Sequence, residues 1–339
     1  KVWWDPNNKV TLGHNLLSIM ANPSLSTQPW KTPKGNVLVY NGEIFNYYEL
    51  KEKYKGKGFA GITGCDTELL AWGLDSFGLD FLDEIDSMHG FAYYKIKEDE
   101  IWLSRDHAGV KPLYYAEIDK GLVFGSELKG LLNKVPGSRK LDSLACSFQS
   151  RTGCNPLRNS IFSGIKQLLP GETLVYSLKD KKFIDNKRIY VIPNSVNKFN
   201  HDEFRKQVSD AVKRSAIGQR KIGVFLSGGL DSSVVAYELG KLQDINTFTN
   251  RMHPEVKNTE EDYNSDANAA KVLADKEKYT HEEVVITPQE YIKAWNESIY
   301  YMEQINFNPS MPMYCHTNKI MASKKIVVTM AGDMGDELL

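Results

Sequence analysis

The chain has 339 residues, with 42 basic against 43 acidic side chains and 41% hydrophobic residues. This charge balance argues against a nucleic-acid footprint or a like-charged tail, and no apolar stretch reaches the about 18 residues that a membrane span needs. The length suggests two domains rather than one core. Four cysteines (Cys65, Cys146, Cys154, Cys315) show no C-x-x-C spacing, so neither a zinc ribbon nor a dithiol motif is expected. Their sparseness fits a reducing cytoplasm. The histidines are scattered, with no H-x-H or H-E-x-x-H.

The first half reads as β-rich. Short aromatic and β-branched runs at 37–40 (V-L-V-Y), 90–95 (G-F-A-Y-Y-K), 101–104 (I-W-L-S), 122–125 (L-V-F-G) and 173–177 (T-L-V-Y-S) are separated by turn residues. Residues 67–77 carry Leu69, Leu70, Trp72 and Leu74 near helical spacing. Residues 126–132 open on Ser126 as an N-cap, so a helix is expected there too. Strands in runs with helices set apart imply α+β layers. Pro, Asn and Ser cluster over 192–200 as a linker, giving expected domains 1–192 and 193–339.

After the linker the pattern alternates. A helix over 201–215 places Phe204, Val208, Ala211, Val212 and Ser215 on one face. A strand (222–226), a helix (231–242), a strand (246–249) and a helix near 265–274 follow. Then come a strand near 283–286, helices near 289–302 and 313–322, and a strand at 326–330. This alternation implies an α/β doubly wound parallel sheet.

Two strand ends carry the chemistry. Residues 224–233 read V-F-L-S-G-G-L-D-S-S. An apolar strand entering a glycine turn and then a helix is the plan of an anion site, because free N–H groups face the ligand and glycine lets the backbone approach it. No G-x-x-x-x-G-K-[ST] or G-x-G-x-x-G is present, which removes a Walker loop and a dinucleotide fingerprint. Instead Ser227 and Ser232 supply hydroxyls beside Gly228 and Gly229, and Asp231 supplies a carboxylate suited to Mg²⁺. A joint whose glycines serve packing alone is the alternative for a bare Gly-Gly; the full string in strand–turn–helix context favours a ligand. The strand at 326–330 likewise ends in A-G-D-M-G-D-E (331–337), with Asp333, Asp336 and Glu337. A solvated helix start would use the same acids. Beside a phosphate site, at the carboxyl ends of parallel strands, they read as one crevice with the first loop.

The first string is similar to the pyrophosphate-binding loop of the ATP pyrophosphatase superfamily, whose members cleave ATP to AMP and pyrophosphate. The two loops in this order resemble glutamine-dependent asparagine synthetase. Further landmarks are Asn41-Gly42-Glu43, Gly64-Cys65-Asp66-Thr67-Glu68, and Arg105-Asp106-His107-Ala108-Gly109-Val110-Lys111-Pro112-Leu113-Tyr114-Tyr115. Gly125-Ser126-Glu127-Leu128-Lys129, Leu169-Pro170-Gly171-Glu172 and Met311-Pro312-Met313-Tyr314 complete the match.

The resemblance implies an Ntn-hydrolase-like αββα sandwich followed by an adenine nucleotide alpha hydrolase-like sheet. It implies that glutamine meets Leu17, Ile19, Asn41, Gly42, Glu43 and Asp66. Asn41 and the Gly42 N–H would hold the oxyanion, and Asp66 the α-ammonium. Ammonia would pass to the second domain, where ATP adenylates the β-carboxylate of aspartate. Ser227–Ser232 would hold the pyrophosphate, and Leu226 and Asn250 would contact the nucleotide through their backbone. Ala331 and Gly332 would close over it, Asp333 would support the acyl-adenylate, and Asp336 would join Asp231 at Mg²⁺. The partners are then aspartate, glutamine and ATP, in the cytoplasm; a homodimer is allowed.

The sequence departs from the pattern in places. The family's N-terminal cysteine nucleophile and its C-terminal helical region are expected beyond Lys1 and Leu339. In His14-Asn15-Leu16-Leu17-Ser18-Ile19 (family H-x-R-L-[SA]-I), Leu16 stands where an arginine would clamp the glutamine carboxylate. A relative with a degenerate glutaminase domain, such as a β-lactam-synthetase-like cyclase or an ammonia-only synthetase, is therefore the runner-up. A non-catalytic binding protein is the third reading.

Overall fold

Short apolar strands build the first part of the chain. The computed structural model describes residues 1–188, 199–218, 220–254, 264–306 and 308–333, divided into units Lys1–Val196 and Asn197–Leu339. The 192–198 part of the expected linker lies outside the described residues. The first unit runs β1 (Val2–Trp4), β2 (Thr11–Gly13), β3 (Trp30–Lys31), β4 (Val37–Ile44), α1 (Tyr47–Tyr54), α2 (Asp66–Phe77), β5 (Ser87–Lys95), β6 (Glu100–Arg105), β7 (Tyr114–Ile118), β8 (Gly121–Gly125), α3 (Ser143–Thr152), β9 (Lys166–Gln167), β10 (Glu172–Ser177) and β11 (Lys182–Arg188).

A six-stranded antiparallel sheet has the order β11-β10-β6-β5-β4-β3, and β8-β7-β9 form a smaller one. Val37, Val39, Ala92, Tyr94 and Leu103 turn one face of the large sheet toward Leu12, Leu113, Tyr115 and Leu168. The alternate residues Leu38, Tyr40, Phe91 and Tyr93 are buried as well, and α2 packs over β3 and β4 with Leu69 and Leu70 inward. On the far side of β7, Tyr114 and Ala116 meet Ala145 of α3. The layers are helix, sheet, sheet, helix, as expected. Both faces of the strands are buried, so they read as continuous apolar runs.

The helix expected over 126–132 is not formed. Glu127 is extended (φ −128°, ψ 134°) and only Leu128–Gly130 make one 3₁₀ turn. That turn eclipses positions three apart, which buries Leu128 and Leu131 together, and Gly130 favours no longer helix. Two real helices carry signals that strand-like or mixed composition hides. α3 is capped by Asp142, which accepts from the Ala145 N–H at 2.9 Å, and ends at left-handed Gly153. In α1, Tyr47, Leu50 and Tyr54 share the buried face.

The second unit comprises α4 (His201–Ser215), β12 (Ile222–Phe225), α5 (Leu230–Gly240), β13 (Asn246–Arg251), α6 (Ser265–Glu277), β14 (Thr280–Val285), α7 (Pro288–Met302), α8 (Met311–Ser323) and β15 (Val328–Met330). The sheet is parallel, in the order β14-β13-β12-β15. Val212, Val224, Leu239 and Ala270 fill one face, and Phe248, Met321 and Ile326 the other, so the sheet is doubly wound. Gly223 leaves no room for a side chain: a Cβ there would lie 2.9 Å from Ile326 Cγ2, just after α8, and 3.1 Å from Met321 Sδ of α8. Among the described residues no helix is long and apolar enough to cross a membrane.

Candidate active sites in the two units

The end of β4 opens into a cavity of about 360 Å³. Its walls include Leu17, Ile19, Asn41, Gly42, Glu43 and Asp66, so all six expected glutamine-site residues come together. Gly42 has no room for a side chain: a Cβ would lie 2.2 Å from Met88 O and 2.9 Å from His89 Cα on neighbouring β5. Asn41 therefore stands beside a backbone position that only glycine can fill.

Asp66 opens α2 with both oxygens engaged. It accepts from Tyr40 Oη at 3.0 Å, the Ile44 N–H at 3.2 Å and the Thr67 N–H at 2.8 Å. Burial raises its carboxyl all the same, against the pull of those bonds. Glu43 is only 8% exposed, and its Oε2 is buried without a hydrogen-bond partner. Burial first, then the nearby Asp66 charge, pushes its carboxyl up to about 8, while Lys111 pulls the other way. An ammonium group entering the cavity would relieve that cost. Cys65 also lines the wall, but burial, then Asp66, pushes its thiol up to about 12, so it is no nucleophile at neutral pH.

Three further groups shape this site. Gln28 is buried; its Oε1 accepts from the Tyr40 N–H at 2.7 Å and its Nε2 donates to Tyr40 O at 3.0 Å. Those are the two bonds a neighbouring strand would make, and they begin where β3 stops. The His14 Nε2–H also donates to Tyr40 O, at 3.0 Å. Lys111 reaches the wall from the turn after β6. His14 and Lys111 sit inside motifs read from the sequence without a role of their own, and Gln28 had no sequence signal. Leu16 is a wall residue too.

The second site is built from main chain. β12 ends at Phe225, and Leu226 to Gly229 turn into α5. Gly228 is left-handed (φ 87°), and a Cβ there would lie 2.3 Å from Asp266 O. Ser232 Oγ accepts from the Ser227 N–H at 3.1 Å, bonds Ser227 Oγ at 2.9 Å and donates to Gly229 O at 3.2 Å. This fixes the turn, and the first N–H groups of α5 have no partner within the helix.

β15 pairs in parallel with β12, Val224 opposite Met330. The segment after it lies on the helix start: a Cβ on Gly332 would be 2.3 Å from Ser232 N and 2.4 Å from the Asp231 carbonyl carbon. The phosphate-type loop and Ala331-Gly332-Asp333 are thus one surface. The charge of Asp333 reaches Tyr314, whose hydroxyl is raised mainly by burial. The Leu226 N–H is already spent on Phe248 O at 2.9 Å, and its carbonyl accepts from the Thr249 hydroxyl, so only a second carbonyl lone pair is left for a ligand. Asn250 Oδ1 accepts from Thr317 Oγ at 2.5 Å. Asp231, Asp333, Ser227 and Ser232 offer oxygen donors only, which fit a hard cation such as Mg²⁺. No group of three metal-ligating side chains occurs among the described residues, and Asp336 lies outside them.

A helix–sheet–sheet–helix unit with this cavity is followed by a doubly wound sheet with this strand-end surface, and comparison identifies the two-domain class: an amidotransferase-type unit preceding a nucleotide-type sheet. Residues 1–191 match the family model for a glutamine amidotransferase domain, and residues 203–339 that for asparagine synthase. The chain belongs to the glutamine-hydrolysing asparagine synthetase family. A Methanocaldococcus jannaschii relative is 31% identical over 312 residues, covering 89% of this chain and 58% of its own length. Asparagine synthetase B of Escherichia coli is 28% identical over 344 residues, covering 98% of this chain and 57% of that protein. Asparagine synthetase 3 of Bacillus subtilis is 25% identical, covering 99% and 56%. The chain thus spans little more than half the length of these relatives.

Proposed function

We propose that this protein makes asparagine from aspartate and ATP, using glutamine as the nitrogen donor. The observation that carries the reading is Gly332 seated against the Ser232 N–H and Asp231. It joins a phosphate-holding turn to a carboxylate-bearing segment, which is what adenylation of an acid requires. The Gly229–Ser232 turn holds the pyrophosphate end of ATP by main-chain N–H groups and the α5 dipole. Gly332 lies close enough to exclude water there, and Asp333 faces the reacting carboxylate. Mg²⁺, when bound, supplies charge neutralisation between the phosphates, held by Asp231 and Asp336. In the first unit Asn41 and the Gly42 N–H take the charge that develops on the amide oxygen of glutamine, while Glu43 and Asp66 favour its ammonium end.

The test supplies full-length protein with ATP, Mg²⁺, aspartate and either glutamine or ammonium. Asparagine, AMP and pyrophosphate from both donors support the proposal; no pyrophosphate release with any amino acid would end it. The second reading, a family member that takes ammonia only, is favoured by Leu16 on the cavity wall. Product from ammonium alone would select it.

A further inference from the structure

Lys111 is the one lysine or arginine among the residues lining the first cavity. Its main chain is held firmly: its N–H donates to Asp106 Oδ2 at 3.0 Å, and its carbonyl accepts from Arg105 Nε at 2.9 Å. Its stem starts beside the oxyanion pair. Gly90 is the ladder partner of Asn41, and a Cβ on Gly90 would lie 3.7 Å from Lys111 Cβ.

The Lys111 ammonium makes no hydrogen bond or ion pair with another described residue. In the same cavity Glu43 keeps a buried oxygen without a partner; the Lys111 charge acts on it, but the two form no hydrogen bond or ion pair. Asp66, by contrast, has spent both oxygens on its own chain. A half-buried lysine without a partner and a buried carboxyl without one, lining the same small space, match a zwitterion whose two charges would complete them.

We propose that Lys111 receives the α-carboxylate of the amino-acid amide donor, opposite Glu43 at its α-ammonium. Lys111 is then a specificity-determining residue, doing with a point charge what an arginine fork would do from position 16. This rests on the reading of the cavity as a glutamine site. A lysine ammonium carries charge without the planar two-bond fork, so it selects for a carboxylate with less geometric demand.

The test is calorimetric titration of full-length protein with L-glutamine and with 4-aminobutanamide, which keeps the amide and the ammonium but lacks the carboxylate. Lys111→Met should weaken glutamine about ten- to hundredfold, as loss of a charge-assisted contact does. It should change 4-aminobutanamide less than about twofold, and Lys111→Arg should recover most of the glutamine affinity. If Lys111→Met does not fold, Lys111→Gln is read in its place. Glutamine binding by the variant within twofold of the unaltered protein overturns the proposal, as does an equal loss of both ligands. Unaltered protein that binds neither ligand overturns the glutamine reading itself, and this lysine assignment with it.

Discussion

The two sites present ligand-facing groups in opposite ways. The first is a walled cavity in which side chains do the selecting, several of them buried and mutually bonded. The second is a strand-end surface built around glycine main chain, where N–H groups at the start of α5 would do the holding. A main-chain site accepts many residues but no intruding Cβ. A side-chain site can be retuned by a single replacement, and Leu16, on the wall of the first, is such a replacement relative to the family pattern.

The largest effects should come from filling the bare positions. Gly332→Ala drives a methyl into the start of α5, where the nearest backbone atom would be 2.3 Å away. Pyrophosphate release should fall by about two orders of magnitude or more with either nitrogen donor, while glutamine hydrolysis survives. Gly42→Ala, with Met88 O at 2.2 Å, should do the reverse, ending glutamine hydrolysis and sparing ammonia-dependent synthesis. If either variant lost both activities, the separation of roles would collapse.

A pH titration comes next. Burial, then the Asp66 charge, pushes the Glu43 carboxyl up to about 8, and an ammonium ligand needs it ionised, so binding should release a proton. Glutamine affinity should therefore climb about tenfold per unit from pH 6 to 8 and level off above, and Glu43→Gln should flatten the profile. The stability sign follows from the same group. Between its ordinary value of 4.5 and about 8 the folded state retains a proton that the unfolded chain has released, so the Glu43–Asp66 pair erodes stability as pH rises through that window.

Leu16→Arg should tighten glutamine binding about tenfold by adding a two-bond carboxylate contact, measured by the same titration. The smallest change belongs to the second site. Ser232→Ala removes the brace between Ser227 and Gly229 and should cost about 1 kcal/mol of stability, read by denaturant unfolding, with only a few-fold rise in the KM for ATP.

The same contrast governs what the sequence makes legible. α4 and β12 follow from periodicity, and the turn after β12 from its own residues, because strand, turn and helix are contiguous in the chain. The six glutamine-site residues were reachable only through motif resemblance, since they come from β4, the start of α2 and the 14–21 segment, far apart in sequence. Gln28 gains its place beside Tyr40 from side-chain bonds that no local pattern announces, and Lys111 its place on the wall from the turn after β6. The 126–132 segment misleads for a related reason: its two buried leucines are three apart, which fits a 3₁₀ turn as well as an α-helix.

Gln28 has a consequence beyond the cavity. Its amide takes the place of one residue of a strand, bonding both main-chain groups of Tyr40 just where β3 ends. It thereby seals the border of a six-stranded sheet that could otherwise recruit a strand from another molecule. A chain with Gln28→Leu would leave the Tyr40 N–H open to such pairing beside the cavity, while His14 would still bond the Tyr40 carbonyl. Its first symptom should be concentration-dependent clumping, seen by light scattering, so a residue that shapes a small-molecule site also keeps neighbouring molecules apart.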